Sequence, residues 1–124
     1  MDEQNYAVKR SLSRYPLFKK QQPLLDHLDI ELTERCNNAC LHCYINLPAQ
    51  DMLAKKRELS TENWKDVLRQ AAELGAFYVR FTGGEPLLRD DFAELYLYAR
   101  RLGMKVMLFT NACLITSELA DLFA

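Results

Sequence analysis

The sequence predicts an α/β fold of about three βα units laid on a parallel sheet. Three observations predict it. Short apolar or alternating runs at 28–33, 76–81 and 105–109 read as strands. Two amphipathic helical stretches separate the second run from the others or follow it, and a third ends the chain. Each run also opens directly into a distinctive segment: CNNACLHC, TGGEP and TNAC. In a right-handed parallel arrangement such segments collect beyond the carboxyl ends of the strands, on one rim.

The elements follow in order. Residues 1–27 carry scattered charge with Pro16 and Pro23, and read as an N-terminal extension with at most one short helical segment; 28–124 form the core domain. LDIELT at 28–33 alternates around Ile30. Residues 44–59 read as a long connection, with Pro48 and the run Lys55, Lys56, Arg57 as a solvated face. Ser60 caps the first long helix and Glu62 lies in its first turn, where negative charge is favoured. Trp64, Val67, Leu68, Ala71 and Leu74 form its apolar face, and Gly75 stops it. Asp90 is the expected cap of the next helix, with Phe92, Leu95, Tyr96, Ala99 and Leu102 on one side and Gly103 at its end. Thr116 caps a last helix bearing Leu119, Leu122 and Phe123. The sequence stops inside that helix, so either the chain is a truncated part of a longer one, the favoured expectation, or a partner completes the sheet.

Composition narrows the function classes. With 49% hydrophobic and 27% charged residues, the chain has the make-up of a folded domain rather than a disordered one. Net charge is -1, which gives no electrostatic reason to expect nucleic acid or an anionic membrane as a partner. MDEQNYAVKR lacks the apolar run of a secretory signal, and no stretch is long and apolar enough to span a bilayer. A cytoplasmic location is the default expectation. There, cysteines serve more often as metal ligands or catalysts than as disulfides.

Cys36, Cys40 and Cys43 are spaced C-x3-C-x2-C. Thiolates are soft ligands suited to iron–sulfur clusters and zinc. In a short loop these gaps let three sulfurs surround one cluster, with backbone amides toward its sulfides. A fourth corner is then left for an outside ligand, whereas a structural zinc site is closed by four protein ligands. His42 or Cys113 could supply that fourth ligand, which keeps a zinc-binding interaction module open as an alternative. TGGEP taken alone is also a plain turn before a helix.

TERCNNACLHCY resembles the signature loop of the radical S-adenosylmethionine (SAM) superfamily, with His42 before the last cysteine. TGGEP resembles that superfamily's second hallmark, and TNACLI the segment ending the third strand, where TNG is common. HCY, GGEPLLR and the TN segment resemble most the peptide- and cofactor-maturing branch, which often carries a SPASM or twitch auxiliary-cluster domain. The resemblance implies the N-terminal portion of a partial (β/α)6 TIM-like barrel. It implies a [4Fe–4S] cluster on Cys36, Cys40 and Cys43, with SAM chelating the open iron. Reductive cleavage then yields a 5′-deoxyadenosyl radical that abstracts hydrogen from a peptide or cofactor-precursor substrate. An external one-electron donor such as flavodoxin or ferredoxin is implied as well.

By the same resemblance, Gly83 and Gly84 allow close backbone approach to a ligand, and Gly84 tolerates an unusual turn. Glu85 offers a carboxylate to the SAM amino group, and Pro86 fixes the chain after it. His42 packs beside SAM or the cluster, or simply packs in the loop or stands in solvent. Tyr44 covers the cluster or packs in the core, and Asn111 reaches the SAM site or caps the turn. Ala112 stands where the family commonly has glycine, so a positive φ there would strain the turn. Later strands of such barrels help to bind SAM. The isolated chain is therefore expected to bind and cleave SAM poorly, or to be an inactive remnant.

Overall fold

The computed structural model describes residues 25–124. The elements run β1 (His27–Glu31), β2 (Arg35–Cys36), β3 (Leu47–Pro48), α1 (Met52–Arg57), α2 (Thr61–Glu73), β4 (Tyr78–Thr82), α3 (Phe92–Arg101), β5 (Lys105–Leu108) and α4 (Ser117–Phe123). A 3₁₀ turn at Pro86–Leu88 precedes α3. The expected short helix of the N-terminal extension lies outside the described residues. The extension gives up its end to the fold: β1 begins at His27, and the Asp26 carbonyl accepts from Phe77 N at 3.0 Å.

Strands β1, β4 and β5 form a parallel sheet in that order, with Ile30 opposite Phe81 and Phe81 opposite Leu108. Spatial order follows chain order, the pattern of successive βα units winding one way. Alternation then decides the two faces. Ile30, Val79 and Phe81 are buried with Leu68 and Ala71 of α2 and Leu95 and Ala99 of α3. The other face carries Asp29, Glu31, Arg80, Lys105 and Met107 and is largely open, with Arg80 ion-paired to Asp29 and lying over Phe109. Helix α4 has no fully buried residue; Phe123 holds it to α3 through edge contacts with Phe92 and Tyr96.

Caps explain the helix starts. Ser60 Oγ accepts from Asn63 N at 3.2 Å, and Thr116 Oγ1 accepts from Leu119 N at 3.3 Å, as the sequence predicts. Three expectations are corrected. The connection at 44–59 contains β3, paired with β2, and α1, capped by Asp51 through Leu53 N and Ala54 N. Its basic run is the last turn of α1, a favourable place for positive charge. The residue preceding α3 is Asp91, not Asp90, and its carboxylate caps nothing because Arg89 and Thr61 occupy it. Leu74, expected on the apolar face of α2, is the C-cap and 43% exposed.

Candidate functional site

Three segments leave the carboxyl ends of β1, β4 and β5, and hydrogen bonds tie them together. Gly84 N donates to Thr33 O at 2.7 Å and Glu85 N to Arg35 O at 2.8 Å, which lays TGGEP along the entry to the cysteine loop. The glycines are required by this contact. A Cβ at 84 would sit 2.1 Å from Arg35 O, and one at 83 would sit 2.3 Å from Thr33 O. The close approach seen here is to the chain's own backbone. The unusual conformation also belongs to Gly83, at φ +122°, and not to Gly84.

Glu85 is fully buried. Its carboxylate accepts from Leu87 N at 2.9 Å, Asn111 N at 2.9 Å, and the Thr110 hydroxyl at 2.8 and 2.9 Å. These donors satisfy a buried acceptor that would otherwise be costly. They also withdraw it from the role expected of it: the side chain braces the third segment against the second and does not present itself to an ammonium group.

Asn111 extends the tie to the first segment. Its Nδ2 donates to Asn37 Oδ1 at 2.7 Å and lies 3.9 Å from Cys36 Sγ, while its Oδ1 accepts from Cys113 N at 3.0 Å. The Asx turn this makes holds Ala112 at φ +65°, the conformation for which glycine is the easier residue.

A second network anchors the loop from below. Arg35, adjacent to Cys36, is 6% exposed and reaches Glu58 at 2.7 Å and the Ala49 carbonyl at 2.9 Å. Glu58 also accepts from Thr33 Oγ1 at 2.5 Å and from Arg89 at 3.5 Å, and Arg89 goes on to Asp91 at 2.7 Å. Burial works against ionisation of Glu58. The hydrogen bonds from Arg35 and Thr33 and the charges of both arginines outweigh it and hold the carboxyl below its usual range. Asp91 is likewise held low, with Arg89 and Thr61 outweighing burial. Sequence reasoning missed Glu58, Arg35 and Arg89, because the bonds that join both arginines to Glu58 span 23 to 31 residues and leave no local signal.

The donor chemistry fits an iron–sulfur cluster. Cys36, Cys40 and Cys43 are free and stand on one loop at the rim, and Asn38 N already points at Cys36 Sγ, at 3.4 Å. Among the described residues no three His, Cys, Asp or Glu side chains are gathered closely enough to hold a single metal ion. As a thiol, Cys43 is a donor and satisfies itself on the Ile45 carbonyl at 3.0 Å, so closing the site requires that bond to be given up. Cys40 is exposed, and Cys43 N donates to its carbonyl at 3.1 Å.

The remaining candidates stand further out. His42 is exposed. Tyr44 is 75% exposed and donates to Glu31 at 2.9 Å, so the expected core packing is not found; that bond, with slight burial and the Glu31 charge, raises its phenol above the usual value. Cys113 is exposed, its thiol 3.8 Å from Asn111 O.

Comparison with known proteins agrees with this arrangement. Residues 30–124 match the radical SAM superfamily model, and the chain belongs to that superfamily. It is 44% identical over 91 residues to a PqqA peptide cyclase of Streptomyces rochei, covering 73% of this chain and 24% of the relative. It is 43% identical over 89 residues to an Fe-coproporphyrin III synthase of Methanosarcina barkeri, covering 72% and 22%. Among solved structures it resembles Streptococcus suis SuiB bound to S-adenosylmethionine, at TM-score 0.63 and 28% identity over 80% of this chain and 21% of that one. SuiB bound to its precursor peptide SuiA gives TM-score 0.68 and 25% identity with the same coverage. The chain thus spans less than a quarter of the length of the relatives it matches. Its three-stranded parallel sheet is a portion of the partial TIM-like barrel expected from the sequence.

Proposed function

We propose that this chain carries the cluster- and SAM-binding portion of a radical SAM enzyme that modifies a peptide. When bound at Cys36, Cys40 and Cys43, a [4Fe–4S] cluster with SAM on its open iron supplies reductive cleavage of SAM to a 5′-deoxyadenosyl radical for hydrogen abstraction. The chain's own residues hold and orient. The three cysteines supply thiolates, and Arg35 and Glu58 fix the backbone from which Cys36 projects. Gly83, Gly84, Glu85 and Pro86 make the wall beside them; with the Glu85 carboxylate used internally, the backbone of this turn would be left to meet the methionine end of SAM. Asn111 closes the third side. His42 and Tyr44 occupy the outer part of the loop, toward solvent.

The observation that carries this reading is the hydrogen-bonded convergence of the cysteine loop, TGGEP and TNA on one rim. A peptide substrate is supported by the similarity to a PqqA peptide cyclase and to SuiB bound to a precursor peptide. An external one-electron donor such as flavodoxin or ferredoxin, and a cytoplasmic setting, complete the reading. Among the described residues no helix is long and apolar enough to cross a membrane. Anaerobic reconstitution with iron and sulfide tests it: about four of each per chain are expected for a cubane cluster. Stoichiometric zinc with no sulfide would overturn it.

A further inference from the structure

The geometry points to Asn111 as a hydrogen-bond donor to the Cys36 sulfur that raises the reduction potential of the cluster, aimed there by the buried carboxylate of Glu85. This rests on the reading of the cysteine loop as the cluster site, and adds a role for the third segment that the motif alone does not contain.

The orientation of Asn111 is determined from three sides. Glu85 accepts from its backbone N–H at 2.9 Å and from the neighbouring Thr110 hydroxyl, so the residue is fixed where it leaves the strand. The Thr110 hydroxyl oxygen in turn accepts from Ala112 N at 3.0 Å. The Asn111 side-chain oxygen is identified by the Cys113 N–H that it accepts at 3.0 Å. The amide nitrogen must then face the cysteine loop, where Asn37 Oδ1 takes one of its hydrogens at 2.7 Å and Cys36 Sγ lies 3.9 Å away. Asn38 N, at 3.4 Å, approaches the same sulfur from within the loop.

An N–H donor stabilises a cysteine sulfur more as its negative charge grows. A reduced cluster carries more charge on its thiolates than an oxidised one, so the donor favours reduction. Glu85 acts only through Asn111 and is a positioning residue. Its burial makes the arrangement stiff, since the Thr110 hydroxyl and the Asn111 N–H would lose this acceptor if the third segment moved away.

The test is an EPR-monitored redox titration of the anaerobically reconstituted full chain without SAM. Asn111→Ala is expected to load the same iron and sulfide as the parent and to have a lower midpoint potential. The net worth of one hydrogen bond corresponds to about a two- to tenfold shift of the reduction equilibrium, tenfold being 59 mV for one electron. Asn111→Asp, which replaces the donor with a negative charge, is expected to fall lower still. Thr110→Val should shift the midpoint in the same direction, with Thr110→Ser restoring the parent value, a rescue that general loosening of the fold would not give. An Asn111→Ala protein with full cluster content and an unchanged midpoint would overturn the proposal while leaving the cluster site intact. Should Asn111→Ala not retain iron, an unchanged midpoint in Thr110→Val would overturn it equally. Failure of the parent chain to take up iron and sulfide would instead refute the underlying site.

Discussion

Replacing Gly84 with alanine tests whether TGGEP is built to lie against the cysteine loop. The added methyl would sit 2.1 Å from Arg35 O, 2.6 Å from Arg35 C and 3.0 Å from Glu34 O. All three are backbone atoms, so no side-chain rotation relieves the clash, and the two segments must separate. Separation stretches Gly84 N to Thr33 O, now 2.7 Å, and Glu85 N to Arg35 O, now 2.8 Å. Losing those bonds costs about 1 kcal/mol each, and the strain of overpacking adds about 1–3 kcal/mol. The expected destabilisation is therefore about 3–5 kcal/mol, a large part of the roughly 5–15 kcal/mol that holds a domain together. Urea unfolding followed by circular dichroism measures it, with the slope of the transition showing whether the native state has loosened. A loss below about 1 kcal/mol would mean that the loops part without cost, and would refute the packing argument.

Other consequences are equally direct. Glu58→Ala leaves the guanidinium of Arg35 without its carboxylate in a site where the two side chains are 7% and 11% exposed, and should cost about 3–5 kcal/mol in the same urea assay. Because Glu58 and Asp91 titrate below their usual range in the folded chain, their contribution is present at neutral pH. It is lost as pH falls from the ordinary carboxylate range through those lowered values. The urea midpoint of the parent should therefore drop on acidification, and that of Glu58→Gln should drop less steeply; parallel profiles would remove Glu58 from the account. Ala112→Gly should stabilise the chain by about 1 kcal/mol, since alanine at φ +65° carries a left-handed penalty, and a lower melting temperature would contradict the Asx-turn geometry.

Much of the site's location was legible in the sequence. Period and capping place α2 and α4, because Ser60 and Thr116 act on their own following turns and need nothing from elsewhere. The order of strands, each leading into a distinctive loop, brings the three loops to one rim. Helix α1 was hidden because it has only six residues, buries Ala54 alone, and reads as a charged loop. Asp90 and Asp91 are equivalent as letters; only the position of Arg89 and Thr61 shows which one precedes the helix and why it does not cap it. Glu85 reads as a ligand because a carboxylate beside two glycines suits an ammonium group, but its partners Thr110 and Asn111 come from the segment after β5. Long-range partners of this kind leave no periodic or neighbouring trace.

Iron content across a panel of variants reconstituted under identical anaerobic conditions tests the central assignment most directly. Cys36→Ala, Cys40→Ala and Cys43→Ala should each lose the cubane, while His42→Ala and Cys113→Ala should keep about four iron per chain. Retention of a full cluster after loss of any of the first three, or its disappearance with His42 or Cys113, would contradict a cluster held by three cysteines with one corner left open.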